Sequence, residues 1–202
     1  MLLFQGFLLG FSIAAPVGPI GVLCIRRTLA DGRLTGFLSG LGAATADMLY
    51  GVIAAFGLTA LMNLLVDQQE WLRAIGGLFL LYLGIRTFWA KPTERSANAR
   101  ATNLFSAYAS TFALTVTNPM TILSFIGMFS AILPANTTLS AASSVSIVLG
   151  VFLGSAAWWL ALSGIVSLAR EKFTPAWLQW VNRLSGIVIT GFAIITLAGL
   201  LK

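Results

Sequence analysis

The sequence predicts an all-α integral membrane protein: six transmembrane helices arranged as two inverted repeats of three, with helices one and four broken at proline. Three observations lead there. Of the 202 residues, 58% are hydrophobic and only 9% are charged, whereas a soluble chain carries roughly 25% charged residues. There is too little polar surface to cover a water-soluble globule. The charges gather in short clusters between long apolar runs, each near or beyond the ~20 residues that cross the hydrocarbon of a bilayer. Finally, prolines, glycines and an arginine recur at fixed distances in the two halves of the chain.

The net charge of +6 would suggest a nucleic-acid partner in a soluble chain; in a membrane chain it reports topology, and no nucleic-acid partner is expected. The chain has one cysteine, Cys24, and no histidine. That removes the usual ligands of a zinc or iron site and the paired thiols of an electron carrier. No cofactor and no metal is expected.

Taken in order, the apolar runs cover residues 2–25, 35–65, 72–89, 104–133, 142–169 and 184–201. The first resembles a signal peptide only superficially. No positive segment precedes it, and it continues past Pro16-Val17-Gly18-Pro19 to Ile25, too long for a cleaved apolar core. It is expected to stay as a helix. The second run exceeds what a span needs and ends near Met62. Between the third and fourth lies the longest polar linker, with Pro92, Ser96 and Asn98 among its residues. One transmembrane domain over residues 1–202 therefore divides into a first repeat, 1–90, a linker, 91–103, and a second repeat, 104–202.

Basic residues fall in the first loop (Arg26, Arg27, Arg33), the third (Arg86, Lys91, Arg95, Arg100) and the fifth (Arg170, Lys172, Arg183), leaving only Arg73 and Lys202 for the other face. The positive-inside bias then puts these loops in the cytoplasm and both termini outside. Three spans in each half would invert the repeats relative to the membrane, the plan of many secondary transporters. An offset of 110 residues pairs Gly40 with Gly150, Arg73 with Arg183 and Gly76 with Gly186, and an offset of 100 pairs Pro19 with Pro119.

Proline inside a helix removes a backbone hydrogen bond and clashes with the preceding turn, costing about 3 kcal/mol or more. Pro16, Gly18 and Pro19 together go beyond a simple kink and predict an interruption of helix one. Asn118-Pro119 has N-cap chemistry, with Asn accepting from free amides and Pro suited to the first helical position. Each interruption starts a half-helix whose N-terminus attracts carboxylate. Kinks made only for packing are the alternative; breaks in corresponding helices of both halves favour a central binding site.

Of the six acids, only Asp47 sits well inside a span. Gly36, Gly40, Ala43, Asp47 and Gly51 follow steps of three and four, so they share one narrow helix face that packs against protein. An Asp at the centre of a spanning helix costs about 2.5–3.5 kcal/mol on insertion scales. That cost points to a role: receiving a substrate ammonium or a coupling proton, since a buried acid releases its proton less readily than one in water. The alternative is a structural aspartate that caps a broken helix or bonds Tyr50. The offset of 110 sets Ala157 opposite Asp47, beside Trp158 and Trp159, and makes Trp158 a candidate aromatic wall from the second repeat.

Pro16-Val17-Gly18-Pro19 in helix one, Gly40-Leu41-Gly42 leading to Ala46-Asp47-Met48-Leu49-Tyr50 in helix two, Gly76-Gly77 with Tyr82-Leu83-Gly84 in helix three, and Thr117-Asn118-Pro119 in helix four resemble the LysE/RhtB family of amino-acid exporters. The likeness covers nearly the whole chain. It implies proton-linked efflux of amino acids or close derivatives from the bacterial cytoplasm across the inner membrane, with Pro16, Gly18, Pro19, Asp47, Asn118 and Pro119 at the family's marked positions. The chain departs from the pattern at Met120, where many members have lysine.

The expected function is therefore export of a small neutral amino acid in exchange for protons, with Pro16, Gly18, Pro19, Asp47, Asn118, Pro119 and Trp158 as substrate-binding residues and Asp47 as the proton-coupling group. The expected partners are the amino acid, protons and membrane lipid. The spans lack the constellation an enzyme needs. A non-transporting assembly or sensory protein, or an exporter of a cationic amino acid, is the alternative. Gly6/Gly10, Gly36/Gly40 and Gly150/Gly154 have the four-residue spacing of close helix packing, within the chain or between copies in a homo-oligomer.

Overall fold

In the computed structural model, residues 1–16, 18–56, 67–90, 104–118, 121–125, 127, 139–169 and 175–200 are described. They form α1 (Leu2–Ala14), α2 (Pro19–Asp31), α3 (Arg33–Ala55), α4 (Gln69–Phe88), α5 (Leu104–Val116), α6 (Ala141–Ala169) and α7 (Pro175–Ala198), and residues 121–125 are helical as well. Every described element is helical, as the composition and the long apolar runs predict.

Four helices, α3, α4, α6 and α7, are long and apolar enough to cross a membrane, and α1 with α2, bent by 82° at the break, makes a fifth candidate. The expected fourth span is represented by the shorter α5 and by residues 121–125. The six-span expectation is thus met in part among the described residues. Its linker, 91–103, lies outside them.

Several of the expected loop assignments need correction: Arg33 opens α3, and Arg86 lies in the last turn of α4. Arg26 and Arg27 belong to α2, and the connection to α3 is the single residue Gly32. Gly32 has φ 107°, left-handed backbone that glycine adopts without the Cβ clash other residues meet. Arg183 lies inside α7, which begins nine residues before the expected sixth span because Pro175 is suited to open a helix and the polar Gln179 and Asn182 do not interrupt it.

The central pair is α3 and α6. In α3's most apolar stretch 56% is buried, against 28% in α4 and α7. The outer pair leaves Ile75, Leu78, Tyr82, Leu184, Ile187 and Ile194 exposed, as side chains facing lipid would be. α3 and α6 run antiparallel: Gly51 lies against Val151, Asp47 against Ser155 and Gly40 against Trp159. On the flanks α1 packs along α6, α5 along α3, and α4 along α7, while α2 touches α3, α5, α6 and α7.

Glycine sets how closely α1 and α6 approach. Cβ atoms added at Gly6 and Gly10 would overlap the carbonyl oxygens of Ile147 and Val151; those added at Gly150 and Gly154 would overlap the carbonyls of Leu3 and Phe7. The small-residue stripes noted in the sequence are therefore spent within the chain, with backbone against backbone. Gly36 and Gly40 likewise meet Thr28 and Trp159 of the same chain.

Candidate functional site

The first break is built as its sequence requires. α1 ends at Ala14, Pro16 follows, and Gly18 is the extended N-cap of α2 with Pro19 in its first turn. A bond from the Gly18 amide to the Pro16 carbonyl closes the turn, and the α2 ladder begins when Val22 donates to Gly18. The amides of Ile20 and Gly21 have no acceptor within the helix, as in any first turn.

The second break begins where α5 ends at Val116. The Tyr50 hydroxyl donates to the Val116 carbonyl, tying α3 to the last residue of α5. At Asn118 the carbonyl accepts the amides of Thr121 and Ile122, opening the short helix over 121–125. Pro119 and Met120 lie outside the described residues.

These elements surround a cavity of about 90 Å3 lined by Ile13, Ala14, Pro16, Gly18, Pro19, Ile20, Gly21, Ala43, Asp47, Thr115, Asn118, Thr121 and Trp159. Pro16, Gly18, Pro19, Asp47 and Asn118, singled out from the sequence, thus share one cavity. A second, smaller cavity of about 20 Å3 shares Pro19, Ile20 and Asn118 with it and extends to Gly76, Leu80 and Leu114.

Asp47 is 3% exposed, and all five residues of its face are buried. Its hydrogen bond comes from across the centre, the Ser155 hydroxyl donating to Oδ2 at 2.7 Å. Tyr50, weighed as a partner from the sequence, is committed to Val116 instead. Ser155 was not identifiable by offset, since it stands two residues before the position matched to Asp47. It shares a stripe at four-residue spacing with Val151 and Trp159, all three facing α3.

Trp158 is not a wall of this cavity. It lies on the stripe of Gly150 and Gly154, which faces α1, and its ring meets Phe11 edge to face at 5.4 Å. Trp159, one position on, is the aromatic wall. Its ring lies over Gly40, where a Cβ would overlap the Trp159 Cβ and Cγ atoms.

Arg27 was expected in the first loop, yet it is 9% exposed. Its Nη1 donates to Ser39 Oγ at 2.9 Å, the Ala107 carbonyl at 2.9 Å and Thr111 Oγ1 at 3.0 Å, and its Nη2 donates to Ser110 Oγ at 2.8 Å. Its neighbour Arg26 turns the other way: Nε donates to Asn182 Oδ1 at 3.0 Å, and Asn182 in turn donates to the Ala90 carbonyl. The end of α2 is fastened on both sides. The guanidinium supplies five donors in a fork, so one buried arginine reaches four acceptors on two helices.

The sequence is similar to known proteins over most of its length. The family described as LysE type translocator matches residues 11–199. A Bacillus subtilis (strain 168) protein whose name assigns it provisionally to amino acid efflux is 27% identical over 91% of this chain and 89% of its own. An uncharacterized membrane protein of Escherichia coli (strain K12) is 28% identical over 84% of this chain and 77% of its own. A leucine efflux protein of Klebsiella pneumoniae subsp. pneumoniae is 25% identical over 91% of this chain and 88% of its own. No solved structure matches the chain. Matched over residues 11–199, nearly its full length, the chain is a transporter and not an enzyme: it belongs to the LysE type translocator family of amino acid efflux proteins.

Proposed function

We propose that this protein exports a small neutral amino acid, or a close derivative, across the bacterial inner membrane in exchange for protons. The observation that carries the proposal is the meeting of Asp47, the first break and Asn118 in one cavity. In this account the chain is one domain of two inverted repeats, residues 1–90 and 104–202 joined by 91–103. Support comes from the pairing of contacts: the opening helix of each half lies on the second helix of the other, α1 on α6 and α5 on α3.

Asp47 is the coupling group. Ionised and open to the cytoplasm, it receives the substrate ammonium; after the site turns outward, a proton takes the ammonium's place and the amino acid leaves. The neutral acid then returns and releases its proton inside. The Ser155 hydroxyl holds one carboxylate oxygen in place, leaving the other for the exchange. The first amides of α2, those of Ile20 and Gly21 at the positive end of its dipole, offer donors for the substrate carboxylate.

Charge balance selects the substrate. One acid and a helix N-terminus suit a zwitterion, with no second acid for a cationic side chain and Met120 in place of lysine for an anionic one. The name of the leucine efflux relative is consistent with that choice. Counterflow in liposomes under an imposed pH gradient tests it: leucine, threonine or homoserine should be carried, and Asp47→Asn should abolish pH-driven movement while still inserting. Exclusive carriage of lysine and arginine, or undiminished rates in the Asn variant at every pH, would refute the account. Both termini are assigned to the periplasm on the distribution of Lys and Arg; reporter fusions active only in the cytoplasm at both ends would overturn that orientation.

A further inference from the structure

Trp159 carries a buried donor that the folded chain does not use. The residue is 4% exposed, and its Nε1 is a buried side-chain polar atom without a hydrogen-bond partner among the described residues. Native interiors rarely leave such a group unmatched, and an orphan on a residue that lines the cavity points to a partner that arrives from outside. The indole N–H donates and cannot accept. Its missing partner is therefore an acceptor, which an ammonium or an aliphatic side chain is not.

The surroundings narrow the choice. Trp159 and Asp47 line the same cavity, with Ser155 of the Trp159 helix bonded to Asp47. The edge of the ring carrying Cγ and Cδ2 lies against Gly40, so Nε1 belongs to the opposite edge. The glycine fixes this seat, because any side chain at position 40 would occupy the same space. With Asp47 taking the positive end of a zwitterion, the negative end is what remains for a donor. We propose that the Trp159 indole N–H binds the substrate's carboxylate, completing with the first amides of α2 an anion cradle formed by both halves of the chain. This rests on the transport function proposed above and adds to it a specificity-determining residue: the site demands a free carboxylate as well as an ammonium.

The test uses the full-length protein in liposomes with L-leucine, L-threonine and L-alanine as probes, each beside the amine that keeps its side chain and lacks its carboxylate, such as isoamylamine for leucine. Trp159→Phe keeps an aromatic wall and removes the donor. A hydrogen bond to a charged group predicts that the apparent affinity for the amino acid falls about ten- to a hundred-fold, with competition by the amine changed less than about two-fold on the same scale. Unchanged amino-acid affinity in the variant would overturn the proposal and leave the transport account standing. An equal loss for amine and amino acid would overturn it too, since the N–H would then serve something other than the carboxylate. Failure of the unaltered protein to bind any of the three amino acids would sink the transport account, and this proposal with it.

A second measurement needs no altered protein at the binding step. Of the six tryptophans, labelled with nitrogen-15, the indole resonance assigned to Trp159 should move downfield with L-leucine and stay in place with isoamylamine. A Trp159 resonance that ignores bound leucine would overturn the proposal.

Discussion

The crossings of α1 on α6 and of α5 on α3 correspond in chain order, each joining the opening helix of one half to the second helix of the other, yet different chemistry holds them. At α1 and α6 the contact is glycine on glycine: Gly6 and Gly10 meet the backbone of α6 where Gly150 and Gly154 meet the backbone of α1. No side-chain hydrogen bond joins these two helices among the described residues. At α3 and α5 the single glycine in such a contact is Gly42, against the Tyr108 carbonyl, and polar groups do the rest. Arg27 of α2 bonds Ser39 on one side and Ala107, Ser110 and Thr111 on the other, and Tyr50 bonds Val116. Helices in lipid associate through close packing and interhelical hydrogen bonds, without a hydrophobic drive of the kind water supplies. Each crossing here leans on one of these two means.

The largest effect should follow from filling the glycine crossing. Gly10→Ala places a methyl group on the Val151 carbonyl oxygen, and with no polar contact to hold the pair, α1 must move away along its whole length. Overpacking of this kind costs about 1–3 kcal/mol and at times more; against rigid backbone the upper end applies, and Gly10→Leu should yield almost no folded protein. Gly42→Ala also places a methyl group on a backbone carbonyl, that of Tyr108, but the overlap is with fewer atoms and the Arg27 and Tyr50 bonds keep α5 docked, so the loss should be smaller. Thermal unfolding in detergent, followed by size-exclusion chromatography, ranks the two. Equal losses would mean that the polar bonds add nothing to the second crossing.

The same contrast explains what was legible in the sequence. The glycine stripes, the prolines of the first break and Asp47 each signal through spacing or rarity: Gly6/Gly10 against Gly150/Gly154, two prolines around Gly18, one acid deep in an apolar run. Such signals depend on the chain alone. The partners of those residues do not. Ser155 is one of many hydroxyls in α6, and only the antiparallel register of α3 and α6 selects it for Asp47. Trp158 and Trp159 are adjacent, and a helix turns 100° between them; the first continues the Gly150/Gly154 stripe to α1 and the second continues Val151/Ser155 to α3. An offset of 110 residues places a side chain to within a turn, which is too coarse to choose between them. Arg27 was unreadable for another reason. A basic residue near a span end normally marks a loop, and only the one-residue turn at Gly32 draws it into the helical interior.

The Arg27 clamp supplies the smaller effect and separates geometry from charge. Replacing Arg27 with Met keeps the stem's bulk and removes all four bonds. Bonds to a charged group are worth about 1.5–3 kcal/mol each in isolation, but the burial cost of the guanidinium disappears with it, and Ser39 and Thr111 keep their own donations to Thr35 and Ala107. A net loss of about 2 kcal/mol follows from these opposing terms. Lysine makes the comparison sharper. Arg27→Lys retains a buried positive charge but offers it as a compact point with three donors on a flexible stem, unable to span acceptors on both α3 and α5. The charge then stays buried with fewer bonds, and Lys should be the less stable of the two, although it is the more conservative change in charge. Thermal unfolding of both variants in one detergent decides the order. A Lys variant as stable as the unaltered protein would show that positive charge alone, and not the fork, holds α5 against α3.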